Sequence, residues 1–285
     1  MNKLVSIIIP SYNREKTIKR SINSLLQQTY KNIEIIIVDD CSSDNTEEVV
    51  KKMDDDRISY YKLKENSGAC FARNYGINKS RGEYIAFQDS DDMWENDKLQ
   101  KQIEVLEKNN YDMVTCKIHQ IDEETERVIG TIPNNINESR LLKFDEIIEK
   151  NCISTPVILA KSECVKDIMF DDEMPRFQDW DFALRFLKKY SIYFLNEVLF
   201  KQYCQKESIT KNPQRGIDAY NILLKKYESE FHNNKKALAN VYIAYAALKK
   251  KNNEKYINYL MKGLQTHFSI RNLLRTAKYI FIYKK

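Results

Sequence analysis

The chain opens on an apolar run, LVSIII, which stops at Pro10 and turns through polar residues to Asn13. Such a short run bounded by turn residues reads as a buried strand. REKTIKRSINSLLQQ follows, with Ile18, Ile22, Leu25 and Leu26 at helical spacing. The alternation repeats. IEIIIVDD is a second strand, TEEVVKKM a helix opened by Ser43 and Asp44, ISYYKL a third strand and ACFARNYGINKS a helix closed at Arg81–Gly82. EYIAFQD, ENDKLQKQIEVLEKN and YDMVTCKI continue as strand, helix and strand. Continuous apolar strands separated by helices predict an α/β fold with a mostly parallel sheet covered on both faces.

From 120 to 210 the pattern loosens. IDEETERVIGTIPNN reads as a hairpin or surface excursion, VILAK and LFKQY as strands, and QDWDFALRFLKKY as an amphipathic helix. After Pro213 only helix signals remain. The reading is a catalytic-type domain over 1–212 and a helical C-terminal appendage over 213–285.

Charge sharpens that division. The net charge is +5, but 213–285 holds 15 Lys or Arg against 4 Asp or Glu, and the rest of the chain is acidic. No run of 18 apolar residues predicts a membrane span. The first apolar run lacks a small-residue cleavage site, so it reads as a strand, not a signal peptide. The six cysteines match no zinc spacing and read as reduced, cytoplasmic thiols. His119, His232 and His267 have no acid or serine partners in motif spacing. The loop after the first strand, PSYNREKT, has no glycine, which excludes a dinucleotide-binding fingerprint and a sugar-phosphate nucleotidyltransferase.

In parallel α/β sheets, ligands bind beyond the carboxyl ends of the strands. Tyr12 and Asn13, Asp39 and Asp40, Asn66 and Ser67, and Asp89, Asp91 and Asp92 all fall at such ends. Asp89-Ser90-Asp91 offers hard oxygen ligands suited to Mg²⁺ or Mn²⁺ completed by substrate phosphates. The same acids also read as a solvated turn that caps the next helix. Asp39 or Asp40 could accept from the imino N–H of a uracil ring, or cap a helix. Tyr12 could lie on a base or pack. Arg73 could meet phosphate or an acid, and Gly68 suits close backbone approach or a turn.

The stretches VSIIIPSYNRE, IEIIIVDDCSSDNT, NSGACFARNYGINKSRGEYIAFQDSDDMW and QDWDFALRF together resemble the family-2 glycosyltransferases. The resemblance implies a GT-A fold and an inverting transfer from a UDP-sugar. The acceptor would be a hydroxyl of a glycan, lipid-linked or protein-linked molecule, as in cell-surface polysaccharide synthesis. It implies roles by position. Pro10, Tyr12 and Asn13 form the first nucleotide loop. Asp39, with Asp40 behind it, reads uracil. Gly68 and Arg73 flank base and phosphates. Asp89 and Ser90 lie toward the donor sugar, Asp91 holds Mn²⁺ or Mg²⁺, and Asp179 is the general base. Beyond the resemblance, acceptor choice is expected in the irregular region, near Ser154, Thr155, Arg176 and Trp180.

Two positions depart from the family pattern. Gln178 stands where relatives carry Glu, and Gln205 where many carry His, with Tyr203, Lys206 or Ser208 as substitutes. These departures keep open a catalytically silent nucleotide- or glycan-binding relative. No nucleic-acid module is present. The basic helices read either as an added helical subdomain, as a self-association module, or as a surface for the inner face of a membrane.

Overall fold

The structure is a computed structural model that describes residues 2–204 and 212–282. Gln205, Lys206 and Ser208 lie outside the described residues. In chain order the elements begin β1 (Val5–Ser11), α1 (Ile18–Leu26), β2 (Ile33–Asp39), α2 (Thr46–Lys51), β3 (Ile58–Lys62), α3 (Ala69–Lys79) and β4 (Tyr84–Phe87). Next come β5 (Met93–Trp94), α4 (Lys98–Asn109), β6 (Met113–Asp122), β7 (Val128–Ile132), β8 (Arg140–Leu141) and α5 (Phe144–Glu149). Then follow β9 (Leu159–Lys161), α6 (Ser162–Ile168), α7 (Gln178–Leu187) and β10 (Ile192–Cys204). The chain continues as α8 (Pro213–Lys226), α9 (Glu228–Asn233), α10 (Lys235–Lys251), α11 (Ile257–Thr266) and α12 (Ile270–Ala277).

Two units divide these elements. The first takes Met1–Leu142, Cys152–Asp172 and Arg185–Lys206; the second takes Lys143–Asn151, Glu173–Leu184 and Glu207–Lys285. The helical unit therefore draws on two segments that precede Asn212.

The first unit is built on one sheet in the order β3-β2-β1-β4-β9-β6-β10-β5, with β7 on β6 and β8 on β10. β3, β2, β1 and β4 are parallel, as are β6 and β10. β9 runs antiparallel between β4 and β6 and joins these two parallel sets. The sequence explains the parallel part. Every residue of β2 is buried, because helices cover both sheet faces. Ile18, Ile22 and Leu25 of α1 reach the same core as Ile7, Ile9, Ile35 and Ile37. On the other face α3 lies so close to β1 that a Cβ on Gly76 would stand 2.5 Å from Ile8 Cγ2.

The second unit is helical. Ile243 and Ala246 of α10 meet Leu260 of α11. At the start of α7, Trp180 is buried, and its indole N–H donates to the Ile147 carbonyl at 2.6 Å. Asp181 is fully buried between Lys226 Nζ, at 2.7 Å, and the Tyr227 hydroxyl, at 2.8 Å. That buried pair fixes the end of α8 to α7. Among the described residues no helix is long and apolar enough to cross a membrane.

Candidate functional site

The carboxyl ends of β1, β2, β3 and β4 carry a continuous polar network. After β1 the chain turns at Asn13, which takes a positive φ of 52°. Its N–H donates to Ser42 Oγ at 2.8 Å, and its side-chain oxygen accepts from the Ser43 N–H at 2.9 Å. Arg14 N–H donates to Thr46 Oγ1 at 2.8 Å. These bonds tie the loop after β1 to the loop after β2 and leave Tyr12 43% exposed.

Asp39 and Asp40 are both buried. Asp39 accepts from the Ser42 N–H at 2.6 Å through one oxygen and from the Tyr60 hydroxyl through the other. Burial, with that bond to Asp39 behind it, pushes the Tyr60 phenol well up. Asp40 accepts from the N–H groups of Ser67, at 2.6 Å, and Gly68, at 2.8 Å. Gly68 has φ +89°, a conformation that favours glycine, and opens α3. Both acids thus close loops, a use beyond the uracil contact or helix cap that the sequence offers for them.

The acid turn follows β4. Asp92 is buried and accepts from the Tyr203 N–H at 2.8 Å. Burial, then Asp89 and Asp91, push its carboxyl well above the ordinary range. Asp91 is raised in the same direction, by burial and then by Asp89. Three arginines answer this cluster. Arg14 Nη2 stands 3.5 Å from Asp91, Arg73 Nη2 3.2 Å from Asp89, and Arg20 donates to the Asp91 carbonyl at 2.5 Å. Arg20 also pairs with Glu123 at 3.1 Å and lies 3.7 Å over the Tyr203 ring. Beneath the turn, Ser21 Oγ donates to the Asp89 carbonyl at 2.9 Å, and Gln88 donates to Ser21 Oγ and the Asp92 carbonyl. Ser90 is buried within the turn, and Pro10 is the penultimate residue of β1.

The structure therefore brings Pro10, Tyr12, Asn13, Asp39, Asp40, Gly68, Arg73, Asp89, Ser90 and Asp91 to one rim of the sheet. Tyr203, a proposed substitute for the missing histidine, reaches the acid turn through its backbone and ring. Thr155 is buried in a short 3₁₀ turn of the first unit. In the second unit, Asp179 sits half-buried in the first turn of α7, and one oxygen accepts from the Trp180 N–H at 2.7 Å. Gln178 donates to the Met174 carbonyl at 3.2 Å, and Arg176 lies over the Phe177 ring. Sequence reasoning missed Arg14, Arg20, Gln88 and Glu123. A cluster of acids needs matching cations nearby, and the arginines of SYNREKTIKR were the signal available.

The carboxylates fit a divalent ion only as part of its shell. Asp91 and Asp89 are hard oxygen donors whose mutual repulsion a cation relieves. Among the described residues, no group of three or more candidate ligands converges, so phosphates and water would complete the coordination.

Residues 6–162 match the model of the family described as glycosyl transferase family 2. The uncharacterized glycosyltransferase RT0329 of Rickettsia typhi is 34% identical over 77% of this chain and 70% of its own length. WfgD of Escherichia coli, named UDP-Glc:alpha-D-GlcNAc-diphosphoundecaprenol beta-1,3-glucosyltransferase, is 42% identical over 49% of this chain and 55% of WfgD. S. aureus TarS 1-349 in complex with UDP-GlcNAc superposes with TM-score 0.74 at 20% identity, covering 94% of this chain and 82% of that one. The mannosyltransferase PcManGT from Pyrobaculum calidifontis, in complex with GDP-Man and Mn²⁺, gives TM-score 0.66 at 17% identity, covering 99% and 81%. At these identities the two structural likenesses speak for the GT-A fold alone. The family match over more than half the chain, and the relative matched at 34% identity over 70% of its own length, establish that this chain belongs to glycosyl transferase family 2.

Proposed function

We propose that the chain is an inverting, metal-dependent transferase. It moves a hexosyl or N-acetylhexosaminyl group from a UDP-sugar to a hydroxyl of a glycan or glycoconjugate acceptor in cell-surface polysaccharide synthesis. The observation that carries the reading is the acid turn Asp89–Asp92 clamped by Arg14, Arg20 and Arg73 at the carboxyl ends of the strands. The UDP-glucose and diphosphoundecaprenol in WfgD's name, and the UDP-GlcNAc bound by TarS, support donor and acceptor class.

In this reading Tyr12, exposed on its loop, lies against the base. Asp39 is closed over by Ser42 and Tyr60, so its contact with the imino group comes with displacement of one of them. Arg73 and Gly68 face the phosphates. Asp91, with Asp89 beside it, would hold Mn²⁺ or Mg²⁺, and the ion supplies charge neutralisation on the departing diphosphate. Asp179 takes the proton of the acceptor hydroxyl as its oxygen attacks the anomeric carbon. The carbon–oxygen bond to UDP breaks on the opposite side, and the anomeric configuration inverts.

Asp179→Asn should bind UDP-sugar normally and lose transfer by about 10²–10⁴-fold, the usual range for a general base. Undiminished transfer would remove Asp179 from that role. A second reading, a silent binding relative, draws on Gln178, whose amide is turned back onto Met174. Release of UDP from UDP-glucose or UDP-GlcNAc with Mn²⁺ present separates the two.

A further inference from the structure

The helix α12 is inside out for a helix packed in water. Ile270, Leu273 and Leu274 recur at the spacing of one helical face, and that face is exposed, with Ile270 at 74% and Leu274 at 65%. The opposite face is polar and buried. Asn272 is buried and donates to the His267 carbonyl at 3.1 Å. Thr276 is buried too, and its hydroxyl meets no partner among the described residues. The preceding helix and the connection add further exposed apolar side chains. Ile257 and Met261, one turn apart on α11, are exposed, and Phe268 in the connection is 69% exposed. Of the eleven large apolar side chains exposed among the described residues, six fall within these 18 positions. Scattered apolar residues need no explanation, but a concentrated strip does.

The surrounding charge says what covers it. From Lys255 to Ile282 the sequence holds five Lys or Arg and no Asp or Glu. Lys255, Lys262 and Arg271 are exposed beside the strip. A symmetric pairing of two copies through this face would set cations against cations, because such an interface uses the same patch twice. An apolar segment that carries cations and no acid of its own instead matches an anionic bilayer surface. Its acyl boundary takes the apolar side chains and its headgroups take the cations.

We propose that α11 and α12 dock this protein on anionic phospholipid bilayers, with Phe268, Ile270, Leu273 and Leu274 entering the headgroup–acyl boundary. The proposal goes beyond the transferase reading and holds whether or not the acceptor is lipid-linked.

The test is co-sedimentation with sucrose-loaded vesicles of phosphatidylcholine, with and without phosphatidylglycerol. The wild-type chain should bind the phosphatidylglycerol vesicles at low salt and release as salt rises. Leu273→Glu/Leu274→Glu should weaken binding by at least about tenfold, and Lys262→Glu/Arg271→Glu by about tenfold with a flatter salt dependence. UDP-sugar hydrolysis in solution and thermal melting should stay unchanged in both. If the leucine variant fails to fold, the charge variant, made at two exposed positions, carries the test. Absence of wild-type binding to anionic vesicles at low salt would overturn the proposal, as would wild-type-like binding by the charge variant. Concentration-dependent self-association in light scattering, abolished by the leucine variant, would give the face to a second copy and overturn it as well. A chain that binds vesicles but never releases UDP keeps the docking surface and loses the transferase reading.

Discussion

Arg73 is buried, yet its Nε and Nη1 meet no acceptor among the described residues. Each unmet donor at such a site costs about 1–3 kcal/mol. An apolar side chain would avoid that penalty, so we propose that a ligand's oxygens meet those donors while Nη2 holds Asp89. Arg73→Lys keeps the charge but loses the planar fork, and its kcat/KM for a UDP-sugar should fall by roughly 10–100-fold. Arg73→Met should fall further, while urea unfolding shows little loss of stability. A stability loss without a kinetic one would mark Arg73 as a mere partner of Asp89. Asp39 and Asp40 show how far residue identity can be read. Their position at a strand end was legible in IEIIIVDD, because an apolar run must end where charge begins. Their bonds to Tyr60 in β3 and to Ser67 and Gly68 in the loop after it were not, since only the folded chain brings those partners near.

At the scale of elements, two glycines measure how tightly the acid-bearing strands are held. A Cβ on Gly76 would press on the Ile8 side chain, whereas a Cβ on Gly82 would stand 2.7 Å from the backbone atoms Leu4 O and Ser6 N. A side chain can rotate and a paired backbone cannot. Gly76→Ala should therefore cost roughly 1–3 kcal/mol, and Gly82→Ala more, in urea unfolding. Lys98, at the start of α4, anchors the strand that follows the acid turn. Its ammonium is fully buried, 3.9 Å over the Trp94 ring, and donates to Gln102 at 2.8 Å. Burial pushes it down from 10.5 to about 8. Between those values the folded chain has released the proton and the unfolded chain still holds it, so stability rises with pH across the window. As pH falls through 8 that contribution is lost. The stability difference between wild type and Lys98→Met should therefore move in favour of wild type by roughly 3 kcal/mol from pH 8 to 10.5. A pH-independent difference would show that Lys98 stays charged over Trp94. The long periodic elements were readable from spacing alone. β5 and β8, of two residues each, carry no period to read, and the antiparallel setting of β9 depends on its neighbours β4 and β6.

At the scale of the whole molecule, the chain separates an acidic sheet unit from a basic helical one. The sheet unit collects its like charges at one rim. Burial raises Asp91 and Asp92, so their ionised forms are held at a cost that the arginines offset only in part. A cation placed with a diphosphate would remove more of that repulsion than either component alone, because the diphosphate brings ligands that the protein lacks. The two should therefore bind cooperatively. Ligand at about a hundred times its Kd adds about 2.7 kcal/mol to the folded state, and each kcal/mol moves the melting point of a chain this size by about 2–4 °C. UDP with Mn²⁺ should raise Tm by roughly 5–10 °C, more than the separate effects of UDP and Mn²⁺ combined. In Asp91→Ala the excess should vanish while the response to UDP alone remains. An additive response in the wild-type chain would mean that the acid rim and the nucleotide do not share an ion, and the metal would then have to leave the mechanism.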